Sequence, residues 1–314
     1  MEKIPLVYTP DFKKHGLFGN HPESPLRVEA IIRFLSSGSL RPDLEILEPR
    51  PASFEHLLLI HEEEYLLRLE EACLRGLSSI DGPDNQISFD SFEVARLAAG
   101  AVLEAVELIE NRGRSFVFCP VRPPGHHACR GKAMGFCLLN NVAIGARYWQ
   151  KNYGRRILIL DWDAHHGNGL QEAFYEDPEV FYVSLHEHPA RSFPGTGWPE
   201  EKGKGAGRGY NLNLPLPLES GDQLFLKLLT EVVEPQVKAF APQGILLACG
   251  FDAHREDDFS FLNLSTAGFG QLSAVVRRWS LALEAPVISV LEGGYHLPSL
   301  VAAYETHLRG LTGK

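Results

Sequence analysis

Short apolar segments alternate with longer segments of helical spacing along most of the chain. The apolar segments are rich in β-branched residues, and we interpret them as buried strands over residues 114–119, 155–160, 179–185, 244–250 and 286–291. The clearest helix is predicted over residues 91–112, where apolar residues recur at spacings of three and four, with Asn111 and Gly113 near its end. This alternation predicts an α/β protein built on a parallel sheet.

The predicted elements follow one another without a repeat, a low-complexity tract or a linker. We therefore predict a single domain over residues 1–314, since α/β folds of this length commonly form one domain. Two segments are predicted to be loops, namely residues 82–90 and the Gly- and Pro-rich residues 186–209. The second loop is long and directly follows a strand, which favours a role at a binding site over a solvated excursion.

Clusters of polar residues follow four of the five predicted strands. The segments are PVRPPGHHACRGKAMGFC after the first strand, DWDAHHGNG after the second, FDAHRED after the fourth and EGGYH after the fifth. The carboxyl ends of parallel strands meet at one edge of a sheet, and open α/β sheets bind ligands there. We therefore expect these His, Asp and Tyr side chains to form one site.

The segment DWDAH places two carboxylates and an imidazole directly after a buried strand. If the strand continues through it, the side chains alternate, so that Asp161, Asp163 and His165 share one face. Taken alone, Asp163 and His165 are equally consistent with a structural hydrogen-bonded pair. Asp252 offers a third ligand from another strand, and an Asp/His/Asp set with an open position fits a catalytic divalent metal better than a closed structural zinc site.

Two adjacent histidines are candidates for proton transfer. His126 and His127 follow a Pro-Pro-Gly turn, which fixes their direction, and the ordinary pKa of imidazole lies near neutrality. Asp161 and Asn168 are available to accept the distal N–H groups of the two rings and so to orient them. The alternative interpretation is a pair of surface histidines.

Tyr295 is a candidate donor to a developing oxyanion, although a lone tyrosine more often serves packing. It follows Gly293 and Gly294, which allow the backbone to approach a substrate closely and to adopt a positive φ.

Composition narrows the classes of protein and partner. The 314 residues include 30 basic and 40 acidic side chains, for a net charge of −10, which disfavours nucleic acid as a partner. The sequence contains no apolar export signal and no run of about 18 apolar residues, so we expect a cytoplasmic protein without a membrane partner. The five cysteines form no CxxC pair, so we expect mostly reduced core residues.

The motifs RPPGHHA, GFCLLNNVAI, DWDAHHGNG, SLHEHP…SFPGTG, CGFDAH and LEGGY follow HPESPLR in this order, from about residue 21 to residue 295. Together they resemble the zinc-dependent histone deacetylase superfamily, which includes bacterial histone deacetylase-like amidohydrolases, acetylpolyamine amidohydrolases and acetoin-utilisation proteins. The resemblance implies the arginase/deacetylase fold, a multi-stranded parallel sheet flanked by helices with the active site at the carboxyl ends of its strands. It also implies one Zn²⁺ per chain, held by Asp163, His165 and Asp252.

The same resemblance implies roles for residues around that metal. His127 would be the general base, His126 its electrostatic or acid partner, and Tyr295 the donor that polarises the substrate carbonyl. Phe136 and Phe193 would form the walls of a narrow substrate tunnel, and Phe259 would be the gatekeeper at its mouth. Asp84 matches a rim aspartate, and Arg27 matches an arginine of an inner acetate channel.

A monovalent-cation site, usually for K⁺, is a further implication of the resemblance. It is built largely from main-chain oxygens, at positions that match Asp161, Asp163, His165, Ser184 and Leu185. A second cation site would involve Phe174, Asp177, Val180 and Tyr210. Asp177 departs from the hydroxyl residue that some family members carry there.

The predicted reaction is hydrolysis of an acetamide, or of another acyl-amine, by a metal-activated water. An acetyl-lysine protein or an acetylated small molecule is the expected substrate, and Phe259 favours acyl-lysine because acetylpolyamine-selective relatives carry an acid there. Hydrolysis of acetylpolyamines or of another small amide, and a non-catalytic family member, remain alternatives. An arginase-like two-metal site is disfavoured because Gly167 offers no ligand for a second metal. The sequence leaves homo-oligomer formation open.

Overall fold

The protein is described here by a computed structural model covering residues 3–16 and 19–314. In these residues eight parallel strands form one sheet flanked by helices, in the order β2-β1-β3-β8-β7-β4-β5-β6. In chain order, the strands are β1 (Ile4–Val7), β2 (Leu44–Leu47), β3 (Phe116–Cys119), β4 (Ile157–Asp161), β5 (Val180–Glu187), β6 (Asn211–Leu216), β7 (Gly244–Cys249) and β8 (Val287–Leu291).

The α-helices are α1 (Leu26–Ser37), α2 (Phe54–Leu57), α3 (Glu63–Leu74), α4 (Ser91–Arg112), α5 (Asn141–Tyr153), α6 (Asn168–Phe174), α7 (Asp222–Lys227), α8 (Glu234–Phe240), α9 (Thr266–Leu283) and α10 (Leu297–Thr312). A stretch of π-helix over Leu228–Val233 joins α7 to α8, and short 3-10 helices cover Pro10–Lys14, Arg41–Asp43 and Gly205–Gly207. No helix in the described part of the chain combines the length and apolarity needed to cross a bilayer.

The predicted α/β fold with a parallel sheet is confirmed, and all five predicted strands are present as β3, β4, β5, β7 and β8. Every residue of β4, β5, β7 and β8 is buried. Such strands are covered on both faces, which explains why they appear in the sequence as continuous apolar runs rather than as alternating ones. Three strands were not predicted, namely β1, β2 and β6.

Local sequence signals set the ends of several helices. The helix predicted over residues 91–112 has those bounds, because Gly113 follows it with a φ of 64°, a left-handed conformation that glycine adopts without strain. The side chain of Asn140 accepts a hydrogen bond from Ala143 N at 3.0 Å and so caps α5. Ser265 caps α9 in the same way, through Gly268 N at 3.0 Å.

The structure differs from the sequence analysis at two strand ends. The extended strand does not continue through DWDAH, because β4 ends at Asp161 and the chain then bends. The loop predicted over residues 186–209 likewise begins later, since β5 runs to Glu187. The positions of Asp163 and His165 therefore depend on a loop held by hydrogen bonds rather than on strand alternation.

The four strands that precede the polar clusters are neighbours in the sheet, in the order β3-β8-β7-β4. Their carboxyl ends therefore lie side by side, and the four following segments meet above one short stretch of the sheet edge. All five cysteines are free and four of them are buried, as expected for reduced core residues.

Candidate active site

The three predicted metal ligands converge at this edge of the sheet. One ligand atom from each of Asp163, His165 and Asp252 lies within 4.8 Å of the other two. His165 Nδ1 faces both carboxylates, at 3.2 Å from Asp163 Oδ1 and 3.0 Å from Asp252 Oδ2. The two aspartates are buried and the histidine is partly buried. Two carboxylates and one imidazole nitrogen directed at one point form a donor set for a divalent cation.

Main-chain amides hold the two carboxylates in place. Asp163 accepts hydrogen bonds from His165 N at 2.9 Å and from Gly293 N at 2.8 Å. Asp252 Oδ1 accepts one from Ala164 N at 3.0 Å, which ties the end of β7 to the loop after β4. A side chain at Gly293 would overlap both carboxylates, so the backbone can approach them only because this residue is glycine.

The charges of this cluster perturb one another strongly. Burial alone lowers the pKa of His165, but hydrogen bonds and charges from the two aspartates outweigh it and raise the pKa well above its ordinary value. Burial, together with the charge of Asp163, raises the pKa of Asp252. Positive charge is therefore favoured at the point where the three side chains meet, as a proton on His165 or as a bound cation.

His126 and His127 lie next to this cluster, each with the orienting partner expected from the sequence. His126 Nδ1 donates to Asp161 Oδ2 at 3.2 Å, since a carboxylate can only accept. His127 Nδ1 lies 2.8 Å from Asn168 Oδ1. The two N–H groups of the Asn168 amide have His127 O, Cys129 Sγ and Met134 Sδ as nearby acceptors, so the amide oxygen is the atom that accepts a hydrogen bond from His127 Nδ1. His127 Nε2 therefore carries the free lone pair.

The two histidines differ in charge. Burial lowers the pKa of His126, but the charges of Asp163 and Asp161 outweigh it and raise the pKa to about 10. Burial, reinforced by the neighbouring charges of His126 and His165, holds the pKa of His127 well below its ordinary range. A charged imidazolium thus lies beside a neutral imidazole, with ring centroids 4.0 Å apart.

Tyr295 is fixed by groups on both sides of its backbone. Arg27 Nε donates to Gly294 O at 2.6 Å, and the Arg27 guanidinium lies 4.9 Å from the centre of the Tyr295 ring. On the other side, Tyr295 N donates to Asp257 Oδ2 at 2.6 Å. Burial raises the pKa of Tyr295 well above its ordinary value, so its hydroxyl stays protonated and remains a donor.

A cavity of about 230 Å³ leads to this cluster. All four side chains expected at the substrate tunnel contribute to its wall, and it is lined by Asp84, His127, Gly135, Phe136, His165, Phe193, Phe259 and Tyr295. Phe259 and Tyr295 are in ring contact, with centroids 4.4 Å apart, and His127 meets Phe193 edge-on at 5.0 Å. The cavity is therefore a mainly aromatic passage that ends at an imidazole and a phenol.

The remaining predicted residues lie around this core. Gly293 lies against the carboxylates of Asp163 and Asp252, Gly294 lies against Phe251 and Leu300, and neither glycine is among the residues that line the cavity. Of the residues expected at the first potassium site, Asp161 and Ser184 are paired across β4 and β5, with Leu185 next to Ser184. Of those expected at the second, Phe174 ends α6, Val180 begins β5, and Asp177 is paired with Arg147.

Glu292 and Asn85 also support the site, and the sequence analysis did not identify them. Glu292, at the end of β8, is fully buried and accepts hydrogen bonds from Gly125 N at 2.7 Å and His126 N at 3.0 Å, so it fixes the turn that carries the two histidines. A carboxylate directly after an apolar strand is the signal that singled out Asp161, and it applies equally to Glu292. Asn85 accepts from Phe136 N at 3.0 Å, and no sequence signal indicates that contact.

Comparison with known proteins agrees with this geometry. Residues 21–311 match the histone deacetylase domain. A probable deacetylase of Methanothermobacter thermautotrophicus is 38% identical over 98% of this chain and 91% of its own length. The chloroplastic histone deacetylase 10 of Oryza sativa subsp. japonica is 38% identical over 94% of this chain and 70% of its own. The crystal structure of the HDA15 HD domain superposes with a TM-score of 0.93 at 32% identity, covering 99% of this chain and 91% of that one.

Fold and site together define a hydrolase of the deacetylase type, built on a parallel sheet flanked by helices, and its deacetylase homologues act on acetylated substrates. The chain belongs to the histone deacetylase family.

Proposed function

We propose that this deacetylase is a metal-dependent amidohydrolase that removes an acetyl or related acyl group from an amine such as acetyl-lysine. The observation that carries the proposal is the convergence of Asp163, His165 and Asp252 within 4.8 Å, at the end of a cavity that His127 and Tyr295 also line. A metal site, a neutral base and a protonated phenol at the end of one apolar passage match the needs of amide hydrolysis.

The donor set supports a divalent metal at this point. Oxygen, nitrogen and oxygen ligands suit several divalent ions, zinc among them, and membership in a generally zinc-dependent family favours zinc. A metal held by these three side chains would supply Lewis acidity, which polarises a carbonyl and lowers the pKa of a water molecule. We also propose K⁺ near Asp161 and Ser184, as the family resemblance implies.

Three side chains of the protein, His127, His126 and Tyr295, carry out the proton transfers and donate hydrogen bonds to the substrate. His127, neutral and with Nε2 free, takes the proton of the attacking water, and Asn168 keeps its ring in the required tautomer. His126, held charged by Asp161 and Asp163, stabilises the negative charge that develops during attack and can deliver a proton to the departing amine. Tyr295 keeps its proton and donates a hydrogen bond from its hydroxyl to the substrate oxygen as that oxygen becomes an oxyanion.

The cavity favours a long, flexible acyl-amine with a small acyl group. Its aromatic walls, Phe136 and Phe193, suit the methylene chain of a lysine side chain. Phe259 lines the cavity and is 40% exposed, and it matches the gatekeeper position at which acetylpolyamine-selective relatives carry an acid, so it favours acyl-lysine. Asp84 lines the cavity and is available to bind a backbone amide of the substrate.

Turnover of three substrates by metal-loaded protein tests this proposal. Acetyl-lysine peptide, acetylputrescine and acetylspermidine would be assayed with and without added zinc, and we expect the peptide to give the highest kcat/KM. Tyr295→Phe should lower kcat by about 100- to 1000-fold, the usual effect of losing one oxyanion donor. The matched control is Tyr304→Phe, which removes a buried hydroxyl that has no hydrogen-bond partner within the described residues.

Three results would count against the proposal. Absence of turnover on every substrate in the presence of zinc contradicts metal-dependent acyl-amine hydrolysis. Faster turnover of acetylspermidine than of the peptide contradicts the preference inferred from Phe259. A Tyr295→Phe protein as active as the Tyr304→Phe control contradicts the role given to Tyr295.

A further inference from the structure

Asp257 is a buried carboxylate, 4% exposed, in the loop that follows Asp252. Three main-chain amides donate to it: Tyr295 N at 2.6 Å and His296 N at 3.0 Å to Oδ2, and Phe259 N at 3.1 Å to Oδ1. No ion pair in residues 3–16 and 19–314 joins it to a basic side chain. Its charge is therefore balanced by amide donors, an arrangement that requires those amides to stay in place.

Two of the three amides belong to neighbouring walls of the cavity. The rings of Phe259 and Tyr295 are 4.4 Å apart, and the Phe136 ring contacts both, at 6.4 Å and 5.9 Å. The Asp257 carboxylate therefore binds the backbone of Tyr295, the proposed oxyanion donor, and also the backbone of Phe259, the proposed gatekeeper.

The backbone at Tyr295 needs such a constraint because two glycines precede it. Gly294 has a φ of +116°, a conformation that few other residues adopt, and glycine pairs have access to many alternatives. The Gly294–Tyr295 peptide is held at both polar atoms, since Arg27 donates to its oxygen and Asp257 accepts from its nitrogen. Without Asp257, only the carbonyl side would be fixed.

We propose that Asp257 is a positioning residue that sets the place of the Tyr295 hydroxyl and couples it to the Phe259 side of the cavity mouth. This inference rests on the role proposed for Tyr295. Nothing in the sequence singles out Asp257, which lies between Glu256 and Asp258 in what resembles an exposed acidic loop. A displacement of about 1 Å at a reacting group can lower a rate by about 100-fold, so the loss of such a contact has kinetic consequences.

Three variants separate the hydrogen bonds of Asp257 from its charge. Asp257→Ala removes every acceptor and should lower kcat by about 10- to 100-fold, with a smaller change in KM. Asp257→Asn removes the charge but keeps an amide oxygen for Tyr295 N and His296 N, so its kcat should stay within about threefold of wild type. Asp258→Ala, at the exposed neighbouring carboxylate, is the matched control and should behave as wild type. An Asp257→Asn protein as impaired as Asp257→Ala would overturn positioning in favour of a charge effect.

A double variant tests whether Asp257 acts through Tyr295. If it does, Asp257→Ala should lower kcat by a much smaller factor in a Tyr295→Phe background than in wild type, because the hydroxyl that Asp257 positions is already absent. An equal fold-loss in both backgrounds would overturn the proposal.

Hydrogen exchange of the folded protein, followed by mass spectrometry, tests the hydrogen bonds from Tyr295 N and His296 N to Asp257 without any assay of activity. Peptides that cover residues 293–300 should exchange faster in Asp257→Ala and be unchanged in Asp258→Ala. Unchanged exchange in Asp257→Ala overturns the positioning contact, whatever the kinetics show. Failure of the proposed function is distinct, since it would appear as absence of turnover in wild type while the exchange difference persists.

Discussion

At the scale of single residues, the cavity depends on two consecutive positions with left-handed backbone. Gly135 has a φ of +54° and Phe136 a φ of +68°. Phenylalanine rarely adopts this conformation, and here its amide is held by the buried side chain of Asn85. The reversed chain turns the Phe136 ring into the cavity and brings the Gly135 Cα against the His127 ring.

We predict that Gly135→Ala lowers kcat far more than it lowers stability. A Cβ at this position would lie 2.5 Å from His127 Cδ2 and 2.9 Å from Phe193 Cε1, so either the proposed base or the tunnel wall must move. Misplacement of the base by about 1 Å lowers the rate by about 100-fold. Steady-state kinetics and thermal melting of the same protein would measure the two effects.

Gly154→Ala is the matched control for this substitution. Gly154 has a φ of +63°, close to that of Gly135, but a Cβ there would meet nothing within 4 Å. Both variants therefore carry the same left-handed strain of about 1–2 kcal/mol, and only one carries the clash. Equal kcat values for the two variants would show that His127 and Phe193 tolerate the added methyl group.

Sequence patterns identified the residues whose chemistry is unusual for their place in the chain. Asp163, His165 and Asp252 were singled out because charged side chains directly follow apolar strands, and the structure brings the three together. Asp257 and Asn85 could not be found in this way, since each accepts a hydrogen bond from a main-chain amide of a distant loop. Such a role depends on loop conformation, which composition and periodicity do not encode.

At the scale of elements, buried polar contacts join the helices to the loops that form the site. His61, between α2 and α3, accepts from Asn140 N through Nε2 at 2.9 Å and lies 3.0 Å from Cys129 O through Nδ1. Because Nε2 is the acceptor, the proton resides on Nδ1 and the ring is neutral. The same Asn140 caps α5 and donates to Ala128 O at 3.0 Å.

We predict that His61 makes the protein less stable in mild acid. Burial lowers the pKa of His61 to about 4, whereas the unfolded chain has the ordinary value near 6.5. As the pH falls from about 6.5 towards 4, the unfolded chain binds the proton first, so the free energy of unfolding decreases across this window. The His61→Gln side chain keeps a hydrogen-bond acceptor and a donor but does not titrate. Between pH 7 and pH 5 the free energy of unfolding of this variant should therefore fall by about 2 kcal/mol less than that of wild type.

Urea unfolding at several pH values measures this difference. His56→Gln is the control, because that histidine lies in the same segment but is only partly buried. The free energy of unfolding of His56→Gln should change with pH as that of wild type does. A His61→Gln protein with an acid sensitivity equal to that of wild type would contradict the account.

Periodicity predicted the elements of the sheet centre and missed those of its edges. β4, β5, β7 and β8 are continuous apolar runs because both faces are covered. The edge strand β2 has only four residues, none of them buried, and β6 contains Pro215. Short, exposed or proline-containing segments lack the hydrophobic signal and join the sheet through pairing with a neighbour.

At the scale of the whole molecule, the sheet order brings four strand ends from distant parts of the chain to one place. The ligands come from the ends of β4 and β7, which are neighbours, while the histidines and the tyrosine follow β3 and β8 on the adjoining side. In the unfolded chain these groups are far apart. A cation that binds all three ligands therefore binds only the folded state and stabilises it by mass action.

We predict that metal removal lowers the melting temperature of wild type and abolishes turnover, and that added zinc restores both. Free metal at about 100 times its Kd contributes about 2.7 kcal/mol to stability. Asp252→Asn should show almost no shift with zinc. Its metal-free form should melt at or above metal-free wild type, since burial and the charge of Asp163 make the ionised Asp252 costly. Calorimetry of dialysed and zinc-loaded samples measures all four states. A zinc shift of equal size in both proteins would place the stabilising metal elsewhere than at Asp163, His165 and Asp252.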